Sequence, residues 1–207
     1  MSTIKTTNIT HGSNSGTANL VLASDGGITY AKKPALGRQI LEQFYSPCDG
    51  SVIATAQGNV TMPTVTAVQV MTTSYADITG SSIAYTPPSG TTNVIYEFRF
   101  QGLQHVDDDP FLNLKFYIDS DEVTDARTTY GAAYFEGQHS FKWGINIGGS
   151  AATATGRQAS WGSSKTLKLS GRESTADQEV KLHGTLRWEG ATSEQFHRPH
   201  LGITAIG

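Results

Sequence analysis

The sequence predicts an all-β protein whose C-terminal part is an antiparallel β-sandwich of jelly-roll type, preceded by an extended N-terminal arm and a short β neck. Three observations carry this reading. Four runs alternate apolar and polar residues with period two, turn-forming clusters separate them, and helical periodicity is nearly lacking along the 207 residues. Strict alternation sends successive side chains to opposite faces, so each run has one face for a core and one for water.

Residues 1–37 are rich in Thr, Asn, Ser and Gly, with one short apolar run at Leu20-Val21-Leu22 and then Lys32-Lys33-Pro34. This is too little apolar surface for a core of its own. The Thr and Val/Leu/Ile content gives strand-forming capacity, so the segment reads as an anchoring arm that orders against a partner, with a plain flexible leader as the alternative. Residues 38–65 hold three β-like runs, 38–45, 51–56 and 60–65, and read as a neck. Within the first, Ile40, Leu41 and Phe44 fit a short helix as well as a strand.

Residues 66–207 form the predicted head. Val94, Tyr96, Phe98 and Phe100 alternate with Ile95, Glu97, Arg99 and Gln101. Leu112, Leu114, Phe116 and Ile118 make the next run, and Phe141, Trp143, Ile145 and Ile147 the third. The fourth places Val180, Leu182, Leu186 and Trp188 on the core face, with Gly184 inserted among them, and Lys181, His183, Thr185 and Arg187 on the wet face. Turn clusters at Pro87-Pro88-Ser89-Gly90, Asp107-Asp108-Asp109-Pro110, Gly148-Gly149-Ser150 and Gly162-Ser163-Ser164 separate strands in series, the pattern of a sandwich or a barrel. The last run, Leu201 to Gly207, reads as a strand paired inside a sheet.

Composition removes several function classes. The net charge is −3, and the 15 Lys and Arg residues are scattered. A nucleic-acid or anionic-membrane binder would concentrate them. Only 16% of residues are charged, against about 25% in ordinary soluble domains, as suits a chain that packs against copies of itself. The single cysteine, Cys48, leaves no intrachain disulfide and no Cys-rich zinc site, and reads as a small buried hydrophobe. The opening residues show no secretory h-region, and no apolar run approaches the ~20 residues of a membrane span. The expectation is a soluble protein made in a cytoplasm, with no membrane insertion.

The chemistry-bearing residues fall into a few separate groups. Asp107 to Asp109 with Asp119, Asp121, Glu122 and Asp125 is the one carboxylate concentration; it lacks the Gly and Glu that complete a calcium loop, so it reads as turns and no metal is expected. Lys181, His183, Thr185 and Arg187 would stand about 7 Å apart along one strand face. They make either the wet face of a sheet or a polar patch for a sugar, a neighbour or a particle shell. His197-Arg198-Pro199-His200 has no helical His pair, and His139 has no evident partner. No nucleophile elbow, phosphate loop or zincin motif occurs, so neither catalysis nor a cofactor is expected. In the last strand, alternation sends Ile203 and Ala205 to one face and Ile206 to the other, which makes Ile206 a candidate contact between copies.

Val68 to Pro88, with Tyr75-Ala76-Asp77-Ile78 and Tyr85-Thr86-Pro87, Lys115 to Arg127, Trp143 to Gly149 and the ending Ile203 to Gly207 together resemble virion structural and tail-fibre-like proteins from phages of marine bacteria. The opening Ser2-Thr3-Ile4-Lys5 and Ala18 to Gly26 look like the starts of such fibre proteins. The resemblance implies a setting: a non-enzymatic protein on the virion surface, joined to other virion proteins through residues 1–37. By looser analogy the head is similar to jelly rolls of the tumour-necrosis-factor and complement type, which implies a homotrimer. A trimeric spike aiding host adsorption is therefore expected, with a capsid decoration protein and a module binding host polysaccharide as the rival readings.

Overall fold

The computed structural model describes residues 8–9, 20–22, 28–30, 38–104, 111–131, 136–176, 179–186, 188–189 and 193–207. The chain divides into two compact units, Met1–Arg38 and Gln39–Gly207. In the first, β1 (Asn8–Ile9), β2 (Leu20–Leu22) and β3 (Ile28–Tyr30) form an antiparallel sheet in that order.

The second unit is an antiparallel β-sandwich of eight strand rows. Row one consists of β4 (Ile40–Pro47), an excursion containing the hairpin β5 (Val52–Thr55) and β6 (Gly58–Thr61), and then β7 (Gln69–Val70). Row two is β8 (Ala76–Asp77) with β9 (Ile83–Tyr85). Rows three to seven are β10 (Asn93–Gln104), β11 (Phe111–Ile118), β12 (Asp121–Gly131), β13 (Gly137–Asn146) and β14 (Lys165–Glu173). Row eight starts as β15 (Val180–Leu182), leaves for the hairpin β16 (Gly184–Thr185) and β17 (Gln195–Phe196), and resumes as β18 (His200–Ile206).

One sheet has the row order one–eight–three–six. The other has two–seven–four–five. Rows one and eight, two and seven, three and six, and four and five therefore pair as in one long ribbon folded back on itself and rolled over, which is the jelly-roll order. The core lies between the sheets. Val94, Tyr96, Phe98 and Phe100 of β10 and Leu112, Leu114, Phe116 and Ile118 of β11 are all buried, as their alternation predicts. Tyr96 packs on Phe116 at 5.1 Å between ring centroids, and both contact Phe141 of β13. Each such side chain contributes roughly 1.5–3 kcal/mol by leaving water.

The predicted neck is corrected by this pairing. β4 hydrogen-bonds along β18, opposite the last residues of the chain, and Phe44, Val60, Met62 and Val65 are buried in the common core. Residues 39–65 belong to the sandwich because the partner of β4 is the C-terminal strand, far away in sequence.

Between β8 and β9 the chain bulges over Ile78–Ser82, with Gly80 at φ 87°. Ladder bonds lost there are replaced by one side chain. Fully buried Ser81 donates its hydroxyl to Ile78 O at 2.7 Å and accepts from Leu169 N at 3.1 Å, while Tyr96 Oη donates to Ser81 O at 2.6 Å. A bulge of this kind re-aims the strand without leaving buried polar groups unpaired.

Candidate functional site

An open cleft of about 430 Å³ lies at one end of the sandwich. Its walls come from the β5–β6 turn (Gln57), the end of row two and the loop after it (Thr86 to Thr91), and the β13–β14 connection (Ala159 to Gly162), with Ile147 at one side. No charged residue lines it. Trp161 is almost wholly buried at its floor and donates Nε1–H to Tyr85 O at 3.3 Å.

The walls are held together from behind by one carboxylate. Glu42 of β4 accepts the Tyr85 hydroxyl at 2.7 Å with Oε1 and the Ala56 backbone N–H at 2.6 Å with Oε2. It thereby ties the β5–β6 turn to row two. Tyr85 also packs edge-on against Phe44 at 5.9 Å and Trp161 at 6.4 Å. Burial, reinforced by the Glu42 carboxylate, pushes the Tyr85 phenol pKa far up, so it remains a donor at any ordinary pH. On the rim, Thr91 donates both its N–H (3.2 Å) and its hydroxyl (2.7 Å) to Pro88 O, which sets the Pro-Pro-Ser-Gly turn with Gly90 at φ 88°. Ile147 N donates to Thr92 O at 2.8 Å and fixes the opposite side. The cleft is thus formed before any ligand arrives.

Of the polar row Lys181, His183, Thr185 and Arg187, the structure sends the first three to different surroundings. Lys181 pairs with Glu179 at 3.1 Å and Glu194 at 3.2 Å. His183 is not on the wet face: with φ 68° it turns inward at the point where row eight leaves the sheet, and it is fully buried. Its Nε2 donates to Thr79 O at 3.0 Å, its ring meets Phe98 edge-on at 6.3 Å, and its Nδ1 has no partner among the described residues. Burial pulls its pKa down to about 4, with nearby His197 adding to the effect and the Thr79 bond opposing it. Thr185 donates to Glu136 Oε1 at 2.6 Å, and Arg187 lies outside the described residues. Trp188, predicted to face the core, is 63% exposed, because alternation ends where the strand does.

Leu201, Ile203 and Ala205 are buried, and Ile206 lies on the other face. It is half-buried there, paired between Asn93 and Ile40, so the expected bare isoleucine is partly covered by its own chain. Ile40 is the more exposed of the pair at 58%.

Asp119 begins the two-residue turn between β11 and β12 at φ 56°, bonding Thr166 N at 2.8 Å and Lys165 at 3.2 Å. Glu122 is taken by Arg127 and Lys115. Asp107 to Asp109 lie outside the described residues. His200 stacks on Tyr45 at 5.5 Å, and His139 on Phe100 at 5.6 Å. Sequence reasoning missed Arg198, whose Nη1 donates to Cys48 O at 3.0 Å and Val65 O at 2.9 Å and so stitches the two excursions together at their base. It also missed Glu42, for which no local signal exists.

Comparison with known proteins adds little to this geometry. No family model matches the chain, and no curated protein matches it. Among solved structures, the chain is similar to one described as the structure of infectious bursal disease virus Gt strain, at 12% identity and a TM-score of 0.26. That match covers 91% of this chain, which spans half the length of the other. Likeness at that level carries no argument about function. No described helix is long and apolar enough to cross a membrane.

Proposed function

We propose that the protein is a non-enzymatic structural protein of a bacteriophage particle, a short homotrimeric spike exposed on the virion surface. Residues 1–37 are the arm toward other virion proteins, and the sandwich is the outward head that aids adsorption to the host. The observation that carries this reading is the division of the chain into a small N-terminal unit and a large β-sandwich, the organisation an anchored head needs. The sequence resemblance to virion and fibre proteins supplies the setting. Trimerisation would strengthen both ends, since three weak contacts on one body add through effective concentration.

The test is antibody labelling of purified particles with imaging, together with light scattering on the full chain. Label on a surface appendage and a trimeric mass are expected. Absence of label from particles overturns the virion assignment, and a monomer overturns the spike; label spread evenly over the head shell converts the reading to a decoration protein.

A further inference from the structure

The cleft between the β5–β6 turn and the β9–β10 and β13–β14 loops has features that the structural role does not use. We infer that it is a binding site for a neutral saccharide. Its volume of about 430 Å³ falls within the roughly 300–1,000 Å³ of small-ligand pockets. The chemistry of the lining selects the class of ligand. With no charged side chain in the wall, a carboxylate, phosphate or ammonium group would trade part of its hydration for no opposite charge.

What the wall offers instead is a mixture of hydroxyl, amide and apolar surface. Gln57, Thr86, Ser89 and Ser160 line the cleft, and the side chain of none is engaged by a hydrogen bond among the described residues. Elsewhere around the cleft such groups are engaged: Thr91 on Pro88 O, Tyr85 on Glu42, and Trp161 on Tyr85 O. Ile147, Pro87 and Pro88, with the edge of Trp161, add apolar surface to the same wall. A pyranose ring presents the same mixture, C–H faces bordered by hydroxyls that both donate and accept, as Ser and Thr do.

Preorganisation supports a ligand site over an ordinary loop surface. Three of the walls are locked by the Glu42–Tyr85–Ala56 and Trp161–Tyr85 bonds, and the rim by Thr91 on Pro88. Binding therefore avoids most of the cost of ordering loops. The inference stands apart from the particle assignment and concerns the isolated chain.

The experiment is saturation-transfer NMR on the full-length protein with neutral mono- and disaccharides of glucose, galactose, mannose and N-acetylglucosamine, and glucuronic acid as the charged control. Transfer to at least one neutral disaccharide and none to glucuronic acid is expected. Ser160 is exposed, so Ser160→Trp fills the cleft without touching the core and should weaken binding at least tenfold with an unchanged melting temperature. If that variant misfolds, Thr86→Val, which removes a hydroxyl at constant shape, should weaken binding several-fold. No transfer to any neutral sugar, equal transfer to glucuronic acid, or undiminished binding by the folded variant overturns the inference.

Discussion

Replacing His183 by Gln should remove a large part of the acid sensitivity of the sandwich. His183 is fully buried, and its pKa is lowered to about 4 from an ordinary 6.5. In the unfolded chain the imidazole takes up a proton as pH falls through 6.5, whereas in the folded chain it stays neutral until about 4. The unfolded state therefore binds more protons throughout that window, and stability falls as pH falls. A shift of about two and a half units at 1.36 kcal/mol each amounts to about 3 kcal/mol between pH 7 and pH 4. Besides burial, the groups that bear on the ring are the Thr79 carbonyl, which opposes the shift, and His197, which adds to it. Gln places an amide N–H near the position of Nε2, keeps a donor for Thr79 O, and does not titrate. The assay is denaturant unfolding of both proteins at several pH values from 7 to 4. Wild type should lose about 3 kcal/mol more than the variant over that range, even though the variant starts less stable. Parallel pH profiles for the two proteins would refute the reasoning.

Two further expectations follow from single contacts. Tyr85→Phe removes the hydroxyl that Glu42 accepts at 2.7 Å; a hydrogen bond to a charged group is worth about 1.5–3 kcal/mol, so thermal unfolding should shift down by several degrees while the fold survives. The Cys48 thiol is fully buried, donates to Gly80 O at 3.4 Å, and has its pKa pushed by burial up to about 12; it should resist a thiol reagent at pH 8 in the native protein and react on unfolding, and fast native labelling would contradict the burial.

The three long alternating runs were legible in the sequence because each pairs along its whole length with one face on the core. The fourth failed at a single residue. His183 adopts φ 68°, a conformation that a glycine would have announced, and from there the chain leaves the sheet for the β16–β17 hairpin, so the alternation no longer reports on the core. The sequence of β4 suggests a neck because a run of seven or eight residues says nothing of its partner, and that partner is the last strand of the chain. The cleft was legible only in fragments. Pro87-Pro88-Ser89-Gly90 and Gly162-Ser163-Ser164 were visible as turns, but their adjacency depends on row order. The Glu42–Tyr85 bond that frames the cleft joins positions 43 residues apart, with nothing in either neighbourhood to mark them.

The interrupted rows one and eight make the protein a natural receptacle for exchanged peptide. On β10, Leu182 sits opposite Gly102 and His200 opposite Arg99, so the whole β16–β17 excursion leaves and returns within three positions of its partner strand. The β5–β6 excursion does the same between β4 and β7 along row eight. Arg198 closes the base where both depart, so the register of the sandwich is held there, with Val60, Met62 and Val65 of the first excursion kept as core residues. Doubling the length of such a loop costs only about 0.6 kcal/mol in closure entropy. The tips can therefore diverge in length and sequence, or be replaced by a grafted epitope, while the layers beneath keep every pairing.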